Sequence, residues 1–529
     1  MPTVYRNGRI HSRAAAGATA FAVDASTVTW VGDEDAAAHY GGVGDVVVDL
    51  GGAFVTPAFV DAHVHTTMTG LALTGLDLRS APSLRAALEL VEHATRASRG
   101  RPILGSGWDE SGWPERRAPT AAELDRAGYG GLVYLARVDA HSAVTSSALM
   151  AAVPRLRTMT GFRADGWQRG AAHDAVRVAA LSGLSAGQRA DAQRAALRRA
   201  AGLGIACVHE MAGPVISSAD DLAGLLALSV AEPLPQVIGY WAELHGVQAA
   251  RDLGAVGAAG DLFCDGSLGS HTAALSEPYA DAPHTRGSLR HEVGELAEHI
   301  AACVAAGLQA GFHAIGDAAV DQALAAFELA AERLGRPAGA GSRLEHVEFV
   351  RDPGRLAAAG LMASMQPAFD TLWGGPAGLY AQRLGAERAG GLNRFAELAA
   401  AGVPLAFGSD SPVTELGPWA TVRSAAHPSD PAAAISPRAA FAAHTRAGWR
   451  AAGIDGEGML APGAPATFAV WAAGELAVDA PDERVARWST DPRAAVPGLP
   501  DVAPGVELPT CLATVLRGTP IHDRGLLDG

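Results

Sequence analysis

Eight short apolar runs, each closing in polar residues and alternating with stretches rich in Ala, Leu, Arg and Glu, set the architecture open to this chain. The runs are AFVDAHVH, GIACVHEM, QVIGYWAEL, DLFCDGS, LQAGFHA, RLEHVEFV, LMASMQPAF and PLAFGSDS, and the helical stretches include AGQRADAQRAALRRAAG and AVDQALAAFELAAERLG. Repeated strand-then-helix units predict a parallel sheet with helices outside it, because parallel neighbours need a long crossover. Eight strands close a (β/α)8 TIM barrel, so the predicted fold class is α/β, with that barrel over residues 57–452.

The flanks have a different rhythm. Up to residue 56 the chain alternates apolar and polar residues in short pieces, as in ATAFAVDASTVTWVGD. After residue 453 it returns to similar pieces, ATFAVWA and CLATVLRG. Strand-and-turn patterns at both ends predict one composite β domain, a sandwich, from residues 1–56 and 453–529. Between the first and second barrel runs lie residues 70 to 200, roughly, too many for a loop in a compact domain. This segment carries its own strand-like runs, ILGSGWD and LVYLARVDAHS, and reads as a subdomain inserted over the barrel mouth.

Charge narrows the function. Acidic residues number 56 against 41 basic ones, a net charge of -15, which speaks against nucleic acid or anionic membrane as a partner. There is no lysine: all 41 basic residues are arginine, so Schiff-base chemistry, a lysine-bearing phosphate loop and a carbamylated lysine are excluded. Four scattered cysteines in no Cys-x-x-Cys pair, and the lack of a signal-like N-terminus or a membrane-length apolar run, suit a cytoplasmic protein. No strand leads into a G-x-G-x-x-G turn, which disfavours a nucleotide-binding oxidoreductase.

The chemistry gathers at predicted C-terminal strand ends. His63 and His65 in FVDAHVH are two residues apart, so on a strand both imidazoles face one side, which in a barrel is the active-site mouth. His313 ends the fifth run, His346 lies on the sixth and Asp410 closes the eighth. Singly, each has a structural reading, as a core histidine bonded to a carbonyl or an aspartate capping a helix. Together they are the donor types that hold a divalent cation such as Zn2+. Such a cation lowers the pKa of a bound water to about 7, and a carboxylate beside it, Asp410, serves as proton shuttle.

In this order, TPAFVDAHVH, HAIGD, LEHVE and GSDSPV resemble the amidohydrolase superfamily of metal-dependent barrel hydrolases. GSGWDESGWPERRAPTAAELD, LARVDAHSAVTSSAL and DGSLGSHTAAL narrow the resemblance to its YtcJ-like branch, which includes N-substituted formamide deformylase. The likeness implies a divalent metal centre, zinc first, and hydrolysis of a non-peptide C–N bond in a small molecule. It assigns His63, His65, His313, His346 and Asp410 to metal binding and catalysis, and a homodimer is compatible with it. Many relatives carry, four residues before the DG of the fourth-strand motif, a lysine whose carbamate bridges two metals; here that position is Asp261. A shorter side chain there favours one tightly held cation, with a second if Asp261 or Asp265 swings in. Ala58 and Thr467 also depart from the usual residues, in the scaffold.

His141 in the insertion is the candidate donor to a developing oxyanion or to substrate, and Trp108, Asp109, His209 and Glu210 are candidate substrate-binding residues. Two other readings stay open: a deaminase on the same barrel, separable by ammonia release, and a catalytically silent binding protein, marked by absence of bound metal.

Overall fold

The computed structural model describes residues 2–15, 17–37, 39, 46–98, 100–477 and 498–527. At its centre eight parallel strands form one sheet in chain order: β1 (Phe59–Val64), β2 (Ile205–Ala212), β3 (Gln236–Trp241), β4 (Gly257–Ala258), β5 (Gln309–Ala314), β6 (Arg343–His346), β7 (Met362–Met365) and β8 (Leu405–Phe407). β8 meets β1 again through a parallel bridge between Val64 and Ser411, which nearly closes the barrel. The closing bonds lie at the chemistry itself: Asp410 N–H donates to His63 O at 2.8 Å, and His65 N–H donates to Ser411 O at 2.9 Å. Barrel closure therefore fixes the first and last strand ends relative to each other.

The fourth strand departs from expectation. DLFCDGS is not a regular strand; the ladder ends at Ala258, because Gly260 takes a φ of +88° that residues with a side chain rarely adopt. The chain rejoins β5 two residues beyond Asp261, where His313 N–H donates to Leu262 O and Cys264 N–H donates to His313 O. Asp261 thus sits in a kink rather than on a strand.

Strands from both chain ends share one sheet, Arg9–Ile10, Phe54–Pro57, Phe468–Ala472, Thr510–Leu516 and Thr519–Asp523. It faces a four-stranded sheet of Thr27–Gly32, Ala20–Asp24, Thr3–Arg6 and Val46–Asp49 across a core of Tyr5, Phe21, Phe468, Val470 and Val515. The two scaffold departures meet here, Ala58 N–H donating to Thr467 O. The sheet joins the barrel through Trp471, whose ring lies edge-on to Phe59 and Trp419 and whose Nε1–H donates to Thr56 Oγ1. Gly204, at φ +79°, lets the chain enter β2 past that indole; a Cβ there would lie 2.2 Å from it. Phe59 begins β1, so this contact is at the barrel end opposite the histidines.

Residues between β1 and β2 supply a five-stranded sheet, Leu76–Asp77, Ile103–Trp108, Val133–Arg137, Ser142–Thr145 and Trp167–Arg169. Arg137, fully buried, anchors it by ion pairs to Asp109, Glu110 and Asp139. Asp139 in turn accepts from Ser267 and Ser270 in the loop after β4, so the inserted sheet is tied to the barrel mouth. No helix among the described residues is long and apolar enough to cross a membrane.

Because Trp471 is fully buried and bridges sheet and barrel, Trp471→Ala is expected to cost about 3–5 kcal/mol of stability. Denaturant unfolding would read this as a lowered midpoint; a loss under about 1 kcal/mol would show that this contact does not join the two parts.

Candidate metal centre

His63, His65, His313, His346, Asp261 and Asp410 come together at the C-terminal mouth of the barrel. Asp261 stands in the middle. Its Oδ2 lies 3.6 Å from His63 Nε2 and 3.2 Å from His65 Nε2, while its Oδ1 lies 3.4 Å from His313 Nδ1 and 3.5 Å from His346 Nε2. Asp410 Oδ1 approaches the first pair from the other side, 3.4 Å from His63 Nε2 and 3.2 Å from His65 Nε2. Asp261, whose reach a shorter side chain left open, thus places one oxygen near each histidine pair. Asp265 does not swing in: its carboxylate accepts the backbone N–H groups of Ala274, Ile315 and Gly316, which fixes it in place.

Each imidazole is oriented by its other nitrogen. His63 Nδ1–H donates to Glu345 Oε2 at 2.9 Å, His65 Nδ1–H to Met211 O at 3.1 Å, His346 Nδ1–H to Gln366 Oε1 at 2.8 Å and His313 Nε2–H to Gly266 O at 3.2 Å. Every ring thereby presents a lone pair to the centre, the arrangement that prepares histidines as metal ligands. His63 Nε2, His313 Nδ1, His346 Nε2, Asp261 Oδ1 and Asp410 Oδ1 are buried with no hydrogen-bond partner. Converging acceptors without donors repel one another and are costly to bury; divalent cations satisfy them, so the donor set fits the metal that such a site implies.

The electrostatics agree. Burial pushes the Asp261 and Asp410 carboxyls up, but the surrounding imidazoles, His63 foremost, outweigh it and hold both well below the usual carboxylate range. Burial works against a charged His65 as well, yet the two carboxylates raise it to about 9. Without a cation, this cluster compensates its anions with protons.

Beneath it lies a buried ion pair that the sequence reading passed over. Arg343 Nε sits 2.6 Å from Glu345 Oε1, and its Nη2–H donates to Glu345 Oε2, Ala62 O and Ser364 Oγ. Arg343 and Glu345 are two apart on β6 and share a face, and charged residues inside a barrel need partners; that spacing was the available signal. His346 follows Glu345 directly and would point the other way on a regular strand. Its φ of +70° and the +49° of Val347 turn the chain and bring the imidazole to the mouth. Asp410 has a φ of +55°, so two centre residues occupy backbone conformations that cost energy and persist only where their surroundings enforce them.

The remaining candidates divide. His141 is at the mouth, its ring centroid 4.9 Å from that of His313; burial and then His313 hold it well below the ordinary histidine pKa, so it is neutral. Glu210 lines an adjoining chamber and accepts from Thr66 N–H. Three expectations fail as ligand contacts. Trp108 is fully buried in the inserted sheet's own core, its Nε1–H bonded to Leu135 O. Asp109 is spent on Arg137 and on Ser111 N–H. His209 lies inside the barrel, its Nδ1 accepting from Arg343.

Comparisons with known proteins identify the family. The sequence model of the amidohydrolase family matches residues 46–522. Among curated relatives, Protein LONG AFTER FAR-RED 3 of Arabidopsis thaliana is 29% identical over 81% of this chain and 79% of its own length. Putative amidohydrolase YtcJ of Bacillus subtilis is 27% identical over 73% and 75%. N-substituted formamide deformylase of Arthrobacter pascens is 30% identical over 20% of each chain. An uncharacterized metal-dependent hydrolase from Pyrococcus furiosus superposes with a TM-score of 0.69 at 28% identity, covering 89% of this chain and 98% of its own.

Glu345→Gln keeps the shape of the support under His63 but removes its charge. Metal affinity is expected to fall about 10–100-fold, measured by competition with a chelating dye; an unchanged affinity would mean that this contact does not orient His63.

Proposed function

This chain belongs to the amidohydrolase family, a family of hydrolases, and from that premise we propose that it cleaves a non-peptide C–N bond, an amide or N-substituted formamide, of a small molecule. The observation that carries the reading is the set of buried, partnerless nitrogen and oxygen atoms converging at the barrel mouth. His63, His65, His313, His346, Asp261 and Asp410 would hold two divalent cations with Asp261 common to both, zinc being the first choice for imidazole and carboxylate donors. Such a centre supplies hydroxide at neutral pH and polarises a carbonyl.

The chain's own residues do the rest. The Asp410 carboxylate, at the rim beside His63 and His65, receives the proton of the attacking water and passes it to the leaving nitrogen, so that amide and water give a carboxylic acid and an amine. His141, neutral and packed against His313 with its ring tilted by 56°, offers an N–H to the carbonyl oxygen as negative charge develops there. The buried Arg343–Glu345 pair keeps His63 in the tautomer that faces the centre. The inserted sheet, pinned by Arg137 and Asp139, positions His141 and covers the mouth.

Asp410→Asn tests the proton shuttle. On a panel of N-formyl and N-acyl amines, the variant is expected to stay folded and to lose at least about two to four orders of magnitude in turnover, the usual contribution of general acid–base catalysis. Turnover within about threefold of wild type would reject the role, and ammonia released from ring amidines with no acid released from the amides would identify a deaminase.

A further inference from the structure

Among the described residues, cavities of sharply different size touch the centre. Two notches lined by Asp410 and His141 measure about 40 and 20 Å³, the larger with room for about three water-sized groups. The third, of about 450 Å³, falls within the size range of small-molecule sites. It shares His65, Met68 and Ile216 with the 40 Å³ notch, so the two are neighbouring spaces at one mouth.

The chamber's walls are of a particular kind. Met68, Val178, Leu181, Leu184, Ile216 and Trp241 give it apolar faces. Val178 and Leu181 come from the inserted helix Gly170–Ser182, whereas Trp241 ends β3. Among its described lining residues Arg189 is the one guanidinium, 3.8 Å from Asp221 and 3.5 Å from Ser218 Oγ and Leu181 O, while Glu210, Asp221 and Glu243 add three carboxyl groups. An anionic group entering this space would face three carboxyl groups against a single guanidinium that already neighbours one of them, and would lose water for little return.

From the cavity sizes and this lining, we propose that the substrate is a neutral, asymmetric amide: one arm of the scissile bond is short enough for the notch, and the other is a bulky apolar group held in the chamber between the inserted helix and the ends of β1 to β3. This rests on the hydrolase reading of the same centre and adds the substrate's shape and charge. Burying an aryl-alkyl arm among these side chains supplies the affinity, and the narrow notch excludes a second large arm.

The test uses zinc-loaded full-length protein and two series of neutral amides. One lengthens the amine arm of formamides from methyl to phenethyl; the other lengthens the acyl arm of N-methyl amides to phenylpropanoyl. In at least one series kcat/KM should rise tenfold or more with arm length. Amides bulky on both sides should fall at least 100-fold below the best singly bulky one, and N-formylphenylalanine should fall at least tenfold below N-phenethylformamide. Val178→Trp, at a half-exposed helix position, and Leu181→Trp should each cut the ratio of phenethyl to methyl substrates tenfold or more.

Equal handling of doubly bulky amides, preference for the carboxylate, or an unchanged ratio in both variants would overturn the proposal. Calorimetric binding of 2-phenylethanol against phenylacetate separates the two levels of inference. If no amide is hydrolysed but the alcohol binds at least tenfold more tightly and Val178→Trp abolishes this, the chamber stands and the hydrolase reading fails. Equal binding of both probes, or of both proteins, removes the chamber as well.

Discussion

Four imidazoles that spend their N–H groups outward and two aspartates face one another inside an apolar barrel, and the surrounding structure is organised about this arrangement. Asp261 is its middle: one oxygen addresses His63 and His65, the other His313 and His346, at 3.2–3.6 Å. Such a group cannot be stable as bare lone pairs, because buried acceptors left unsatisfied cost far more than a hydrogen bond returns. Positive charge has to enter, as protons on His63 and His65 or as a cation.

The fold makes that convergence possible by adding constraints from several directions. Parallel strands set the four histidines at one end of the barrel, and the β8 to β1 closure bonds lock Asp410 and His63 together. Below, Arg343 and Glu345 neutralise each other and hold His63 by its far nitrogen. Above, the inserted sheet is riveted by Arg137 and Asp139 to the loop after β4, which sets His141 against His313. The composite sheet of both chain ends packs on the opposite end and leaves the mouth free for chemistry.

What the sequence made legible follows from strand periodicity. Two histidines two residues apart must share a face, and strand ends in barrel order place His313 and Asp410 with them. The reach of Asp261 was legible only as an open alternative, since side-chain length alone assumes a regular strand, whereas Gly260 kinks the backbone that carries it. His346 was found by its place at a strand end although alternation opposes it; the positive φ that turns it has no residue-type signature. Trp108, Asp109 and His209 show the limit of arguing from nearness to a strand end: which face a residue takes decides whether it meets a ligand or a core. The support from Arg343 and Glu345 was open to inspection in the motif RLEHVE, as two charges on one interior face.

Metal stoichiometry is the most direct test of the centre. Metal-free protein titrated with zinc and then dialysed against metal-free buffer, with cation and chain quantified in the same sample, should retain two equivalents per chain. Retention of a single equivalent would contradict Asp261 as the shared carboxylate, and retention of none would contradict the centre itself.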